Sequence, residues 1–192
     1  MKVIGFTGNY GMEDSVPQSY LMADSSILYT GRPFFLPDFA RQFVATPTIV
    51  VRTGRLGKCI APKFAHRYWD AFTAGFAVRA IQGDDDSLAA LDRAFDGAAI
   101  VGEWVEASHV EDMMHEPVEV TIDGTVVSSH CLADMNPLPL ADMLARVSIR
   151  CSVKMGDMLF TGNAGEEKTL TAGTRLAASI GGRQVLDVKV RL

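Results

Sequence analysis

The chain has few cysteines and none of the spacings that bind zinc. Its three cysteines, Cys59, Cys131 and Cys151, are odd in number, and no two of them form a C-x-x-C pair. Disulfide frameworks use even sets of cysteines, and structural zinc sites use closely spaced pairs. We therefore predict reduced and mostly buried thiols, which are typical of a cytoplasmic protein.

Positive charge and long apolar runs are also scarce. The chain carries 18 Lys and Arg against 23 Asp and Glu, which gives a net charge of −5. Nucleic acids and anionic lipids attract clustered basic residues, so neither is an expected partner. No apolar run approaches the roughly 20 residues that span a bilayer, and the opening run "KVIGF" is too short for a signal peptide. The sequence predicts a cytoplasmic protein that binds small molecules or other proteins.

The remaining composition is that of an ordinary globular domain. With 192 residues, 48% of them apolar, the chain can form one domain over residues 1–192. β-branched content, alternation and glycine punctuation predict many strands. The predicted strands cover 2–6, 48–53, 98–105, 118–127, 157–162, 174–182 and 185–192.

Two hairpins and three helices complete the predicted secondary structure. Asp123-Gly124 and Gly181-Gly182 each separate two apolar runs, which is the sequence signature of a tight β-hairpin. Helical spacing of apolar residues predicts helices over 61–80, 87–95 and 140–148. Short helices on a mainly β body predict an α+β fold.

The histidines give one candidate metal cluster. His109, Asp112 and His115 follow each other at intervals of three, which would align them on a helix. Pro117 follows closely, and the segment has the composition of a loop. We therefore favour a surface stretch over a metal site.

Residues 155–170, "MGDMLFTGNAGEEKTL", form a second candidate site. A strand followed by Thr-Gly-Asn-Ala-Gly places a hydroxyl and several backbone N–H groups at a strand end, an arrangement that can hold a carboxylate or phosphate. The spacing is not that of a P-loop. A glycine-rich turn without a ligand fits this segment equally well.

Together these motifs resemble the fumarylacetoacetate hydrolase family. The C-terminal run from "VKMGDMLFTGNAG" to "VLDVKV" is similar to the closing Gly-Asp, Thr-Gly-Thr-Pro-x-Gly and hairpin pattern of that family. "MKVIGFTGNYG", "RPFFLPDF", "VVRTGRLGKCI" and "RAFDGAAIVG" follow the family order over nearly the whole chain. The resemblance implies a β-roll with mixed sheets and a few short helices. It also implies a homodimer or a complex with an active paralogue, and a Mg²⁺ or Mn²⁺ site that polarises a 2-oxo or 1,3-dicarbonyl acid.

The carboxylates that hold this metal in the family fall on other residue types here. Aligned with the family pattern, the Glu-x-Glu pair falls on Thr46 and Thr48, and the Asp falls on Ala77. Mg²⁺ is normally held through carboxylates, with water and substrate oxygens completing its shell. Two hydroxyls and a methyl supply no charge, so no metal cofactor is predicted.

Further family positions are altered. The water-activating His-Glu dyad falls on Glu13 and Val16, and the family Lys falls on Arg93, whose pKa is too high for ordinary proton transfer. The Thr-Gly-Thr-Pro pattern keeps only Thr161 and Gly162. No catalytic residue is therefore assigned. The predicted substrate-binding residues are Tyr10, Arg93, Thr161 and Gly162, with Arg52 and Arg79 as further candidates for the pocket lining.

Three functional hypotheses follow. In the first, the chain has lost metal-dependent catalysis and binds a small 2-oxo or dicarboxylic acid or a partner. In the second, it is an active hydrolase, decarboxylase or isomerase that uses substitute ligands such as Asp24, Asp84, Asp85 or Glu103. In the third, it is a structural partner of an active paralogue. A homodimer fits the first two hypotheses.

Overall fold

The computed structural model describes residues 1–11, 16–82, 86–106 and 112–192. Fourteen strands in this part of the chain form two sheets, with one α-helix, α1, at Leu140–Arg150. The strands are β1 Val3–Phe6, β2 Ser19–Met22, β3 Ile27–Tyr29, β4 Phe34–Phe35, β5 Gln42–Thr53, β6 Trp69–Ile81, β7 Ala99–Val101, β8 Val105–Glu106, β9 Val118–Ile122, β10 Thr125–His130, β11 Met158–Phe160, β12 Lys168–Thr169, β13 Arg175–Ile180 and β14 Arg183–Arg191. Short 3-10 helices cover Asp24–Ser26, Pro62–Arg67, Asp86–Leu91 and Leu132–Asp134.

The larger sheet is built on the long antiparallel pair β5 and β6. Its strand order is β2-β1-β11-β5-β6-β7-β3, with β12 also paired to β5 and β8 also paired to β6. β1 runs parallel to β11, and β3 runs parallel to β7, so the sheet is mixed. The sheet curls into a half-barrel. This confirms the prediction of a mainly β, β-roll fold with few helices.

The smaller sheet has the order β10-β9-β13-β14-β4 and contains both predicted hairpins. Asp123-Gly124 joins β9 to β10, and Gly181-Gly182 joins β13 to β14. All four residues have positive φ, from 52° to 81°, which matches the twist that two-residue hairpins require. Both hairpin predictions are confirmed.

The main core lies between the larger sheet, the smaller sheet and α1. Ile49, Phe72, Phe76, Leu144 and Leu176 are among its fully buried side chains. A second apolar cluster covers the opposite face of the larger sheet. It includes Val3, Val50, Ala77, Val101 and Phe160. Helix α1 confirms the helix predicted over 140–148.

The helix predicted over 61–80 is wrong. Only Pro62–Arg67 is helical, as a 3-10 turn, and the rest of the segment is the long strand β6. Alternate residues of β6 face opposite sides of the sheet, and both sides are covered, so apolar residues occur at nearly every position. A strand buried on both faces loses its alternation, and its aromatic residues then match a helical period by chance. The helix predicted over 87–95 is likewise reduced to the short 3-10 helix Asp86–Leu91.

No helix in the described part of the chain is long and apolar enough to cross a membrane.

Candidate functional site

Thr46, Thr48 and Ala77, the positions that the family resemblance assigns to metal ligands, lie together on one face of the larger sheet. Thr46 pairs directly with Ala77 across β5 and β6, and Thr48 is two residues further along β5. Residues two apart on a strand share a face, and paired residues have Cβ atoms about 5 Å apart. All three side chains are buried. Side chains at these positions are therefore close enough to share one small ligand.

A carboxylate that the sequence analysis did not single out lies beside Thr46. The Thr46 hydroxyl donates a hydrogen bond to Oε1 of Glu167 at 3.2 Å. Glu167 directly precedes β12, whose pairing with Ala45 and Val44 of β5 brings the glutamate to this position. The other oxygen, Oε2, lies 3.9 Å from Nη2 of Arg79. Only the long-range pairing of β12 with β5 places Glu167 here.

Two guanidinium groups and a phenol complete this polar group of residues, which we call the Thr46 cluster. Its members are Thr46, Thr48, Glu167, Arg79, Arg93 and Tyr20. Arg93 lies over the ring of Tyr20, with its Cζ 4.4 Å from the ring centroid. Burial lowers the pKa of Arg93, and the charge of Arg79 adds to this effect, whereas Tyr20 and Glu167 partly oppose it. Burial also raises the pKa of Tyr20 to about 12, with Arg93 partly opposing the rise. The carboxylate of Asp92 also opposes the lowering of the Arg93 pKa. Arg93 remains charged, because the pKa of a guanidinium lies far above neutral.

Tyr10 and Thr161 form a hydroxyl pair that is buried within the protein. Their oxygens are 2.8 Å apart, and Thr161 also donates to the carbonyl oxygen of Ile49 at 2.9 Å. The Thr48 hydroxyl donates to the same carbonyl at 3.2 Å. Because Thr161 uses its proton on Ile49, Tyr10 is the donor in the pair. The structure therefore connects these predicted site residues to Thr48 through one shared acceptor.

Gly162 holds the loop after β11 against the first loop of the chain. Its φ is +145°, and a Cβ added here would lie 2.1 Å from the carbonyl oxygen of Gly8. The buried Asn9 side chain donates to the carbonyl oxygens of Thr161 and Leu138, both at 2.9 Å. The Thr-Gly pair therefore has a structural function, which is to bring two loops into backbone contact beside Tyr10.

The donor set around Thr46 does not fit a divalent cation. The hydroxyls of Thr46 and Thr48 and the methyl of Ala77 carry no charge, and the carboxylate bonded to Thr46, that of Glu167, is close to the guanidinium of Arg79. Mg²⁺ needs carboxylates and water in a near-octahedral shell. Nowhere in residues 1–11, 16–82, 86–106 and 112–192 do three or more His, Cys, Asp or Glu side chains form a group that could hold a metal ion.

Of the suggested substitute carboxylates, the structure describes Glu103 and Asp24. Glu103 forms an ion pair with Arg183, and Asp24 begins a 3-10 helix before β3. Asp84, Asp85, Glu13 and His109 lie outside the described residues. Val16 is exposed. The remaining members of the histidine cluster, Asp112 and His115, form an exposed pair at 2.7 Å.

Arg52, one of the candidate pocket arginines, lies elsewhere. It is six residues along β5 from Thr46, which corresponds to roughly 20 Å of strand. Its guanidinium binds Asp70 at 2.9 Å and Glu106 at 2.9 Å, and it lies over the Trp104 ring. The structure therefore brings Arg79 and Arg93 to the Thr46 cluster and leaves Arg52 in a separate ion-pair network.

Three solved structures illustrate the fold similarity. A fumarylpyruvate hydrolase from Pseudomonas aeruginosa, in complex with Mn²⁺ and pyruvate, is 19% identical with a TM-score of 0.85, covering 100% of this chain and 90% of its own. A probable 2-hydroxyhepta-2,4-diene-1,7-dioate isomerase from Mycobacterium abscessus is 19% identical with a TM-score of 0.84, and the match covers 99% of this chain and 75% of the isomerase chain. A 5-carboxymethyl-2-hydroxymuconate delta-isomerase from Mycobacterium smegmatis is 18% identical with a TM-score of 0.84, and the match covers 99% of this chain and 78% of the isomerase chain.

Comparison of sequences tests directly whether the chain belongs to a known family. A search of curated proteins found no match. The family model described as fumarylacetoacetate (FAA) hydrolase C-terminal, however, matches residues 9–191. Since this match covers almost the whole chain, the protein belongs to the fumarylacetoacetate hydrolase family.

Proposed function

We propose that this protein binds a small 2-oxo or dicarboxylic acid at the Thr46 cluster without a divalent metal ion, and that it does not catalyse the metal-dependent reactions of its relatives. One observation carries the proposal. The three positions assigned to metal ligands are neighbours on one sheet face, yet they hold Thr46, Thr48 and Ala77, with two arginines beside them.

The charges beside these positions suit an anion better than a cation. The charge of Arg79 acts on Arg93, and Oε2 of Glu167 lies 3.9 Å from Nη2 of Arg79. A ligand carboxylate could accept charge-assisted hydrogen bonds from the guanidinium groups of Arg79 and Arg93. The Thr46 hydroxyl, now bonded to Glu167, is a further group within reach of such a ligand. The Mn²⁺ and pyruvate bound by the Pseudomonas fumarylpyruvate hydrolase suggest the size of acid to test.

Calorimetry with and without metal tests this function. Chelator-treated protein is titrated with Mg²⁺, then Mn²⁺, and separately with oxalate. We expect one oxalate per chain without metal and no heat from either ion. Arg93→Gln and Arg79→Gln are expected to weaken oxalate binding about tenfold, because each removes a charged hydrogen-bond donor. Arg55→Gln, an exposed arginine in the loop after β5, is the matched control and should bind oxalate as the parent chain does.

Two results would overturn the proposal. Binding of about one Mg²⁺ or Mn²⁺ per chain would mean that substitute ligands exist. Turnover of oxaloacetate or an acylpyruvate by the metal-loaded protein would support the alternative of an active family enzyme.

The assembly is a separate part of the proposal. The family resemblance predicts a homodimer or a complex with an active paralogue. Light scattering on the purified chain distinguishes a dimer from a monomer, and co-purification from the native cell identifies a paralogue.

A further inference from the structure

A cavity of about 460 Å³ lies between the edge strand β2 and helix α1. Ile4 and Phe6 of β1 form its floor, and Leu138 and Val147 contribute from the α1 side. Leu21, which is 64% exposed, lies at the rim. The volume falls within the range of roughly 300–1,000 Å³ that is usual for small-molecule sites.

This cavity is separated from the Thr46 cluster by the larger sheet. Ile4 and Phe6 belong to the main core face, whereas Val3 and Phe160 belong to the cluster on the opposite face. Gly5 lies between Ile4 and Phe6, and the Tyr20 ring covers it on the Thr46 side. Successive side chains of a strand point to opposite faces. The floor of the cavity therefore faces away from Thr46, although Tyr20 of the edge strand β2 is also among the residues that line the cavity.

Two arginines of α1 line the same cavity. Arg146 and Arg150 are four residues apart and both line the cavity, so both lie on the face of the helix turned toward it. Like charges at this spacing repel each other on a helix. Neither guanidinium forms an ion pair with any residue in the described parts of the chain, and Arg150 instead donates to the Arg146 carbonyl oxygen at 3.3 Å. An anion between them would remove the repulsion.

We propose that this cavity binds an organic acid with an apolar body, such as an acyl chain, whose carboxylate lies between Arg146 and Arg150. The apolar floor of Ile4 and Phe6 accommodates the body of the ligand. The two guanidinium groups donate charge-assisted hydrogen bonds to the carboxylate of the ligand. This ligand is distinct from the small acid proposed for the Thr46 cluster, because that acid has no apolar part to bury.

Titration calorimetry with hexanoate, octanoate and decanoate, each below its micelle concentration, tests the site. Affinity is expected to rise about fourfold for each added CH₂ that is buried. Decanol, which has the same chain and no charge, should bind at least tenfold more weakly than decanoate. Arg146→Gln and Arg150→Gln should each weaken decanoate about tenfold, whereas the control Arg55→Gln should leave it unchanged.

A blocking variant and a competition experiment complete the design. Ser19 is an exposed lining residue on β2, so Ser19→Trp should fill the cavity and abolish decanoate binding without unfolding the protein. Saturating oxalate should not displace decanoate, which separates this site from the Thr46 cluster. The proposal is wrong if decanoate shows no saturable binding at 1 mM, if decanol binds equally well, or if oxalate competes. It is also wrong if the Arg146→Gln and Arg150→Gln variants are as stable as the parent in thermal unfolding and still bind decanoate with the parent affinity.

Discussion

Thr46 donates a hydrogen bond to Glu167 at 3.2 Å, although the two residues are 121 positions apart in the chain. The pair places the carboxylate of Glu167 next to a position where the family pattern has a metal-binding glutamate. It also links Thr46 to Arg79, which lies 3.9 Å from the other carboxylate oxygen. The negative charge of Glu167 therefore reduces the net positive charge that a ligand would meet at this cluster.

Glu167→Gln is expected to strengthen oxalate binding about threefold. The amide oxygen can still accept the hydrogen bond from Thr46, but the negative charge that competes for Arg79 and Arg93 is lost. Calorimetry at low ionic strength measures the change. Glu166→Gln, at the adjacent and exposed carboxylate, is the control and should have no effect. Weaker binding in Glu167→Gln would contradict the competition between Glu167 and the ligand for the arginines.

Restoring carboxylates at the three family positions is expected to create a metal site. The triple variant Thr46→Glu, Thr48→Glu, Ala77→Asp places three acids on one sheet face, within reach of one ion. We expect about one Mn²⁺ per chain at sub-millimolar affinity, measured by calorimetry. The neutral triple variant Thr46→Gln, Thr48→Gln, Ala77→Asn has the same shapes without the charge and should bind none. A folded acidic variant that binds no Mn²⁺ would mean that these positions do not correspond to the ligands.

Gly162→Ala is expected to destabilise the protein by about 3 kcal/mol or prevent folding. A Cβ at φ +145° would meet the Gly8 carbonyl oxygen at 2.1 Å, so backbone strain and a clash with backbone add together. Gly124→Ala is the control, because its φ is +81° but nothing lies within 4 Å of its added Cβ. It should cost only about 1 kcal/mol. Urea denaturation measures the unfolding free energy of both variants. Equal losses of unfolding free energy would contradict the importance of the close contact between Gly162 and Gly8.

Asp157→Ala is expected to cost about 3 kcal/mol of unfolding free energy. The buried carboxylate accepts hydrogen bonds from the backbone N–H groups of Lys2 at 3.0 Å and Lys154 at 2.7 Å, and it pairs with the Lys2 ammonium. Its removal leaves these donors without a partner. Lys2→Met keeps both backbone hydrogen bonds and should cost less, about 1 kcal/mol. A larger loss in Lys2→Met would show that the ion pair dominates.

The stability contributed by Asp134 is expected to disappear in acid. Its carboxylate accepts a hydrogen bond from the Cys131 backbone N–H at 2.8 Å, and this bond, together with nearby His130, lowers its pKa below the ordinary 3.8. A lowered folded-state pKa gives stability that is complete above the unfolded-state pKa and is lost as pH falls through the folded-state value. Asp134→Asn should therefore be less stable than the parent at pH 7, and the difference should shrink as pH falls below about 4.

Urea denaturation at several pH values measures this difference. Glu166→Gln, whose carboxylate makes no hydrogen bond or ion pair within the described residues, is the control with no expected change. A constant difference between Asp134→Asn and the parent from pH 7 to pH 3 would contradict the pKa assignment.

Much of the fold could be predicted from local patterns. The Asp123-Gly124 and Gly181-Gly182 turns need positive φ, and the apolar spacing of 140–148 fits a helix, so each signal lies within a few residues of the element that it specifies. Strand β6 could not be recognised in this way. Its partners β5 and β7 are distant in sequence, and its burial on both faces removes the alternation that marks a strand.

The candidate site likewise combines features that the local sequence specifies with features that depend on tertiary packing. The amino-acid sequence alone was enough for the family resemblance, for the assignment of Thr46, Thr48 and Ala77 by that resemblance, and for the two hairpins, because these depend on motif order and local backbone requirements. The three-dimensional fold was needed to learn that Glu167 and Arg79 lie beside Thr46 while Arg52 does not, and that β2 and α1 flank a cavity with an apolar floor. These relationships depend on strand register and packing between distant segments, which no local pattern specifies.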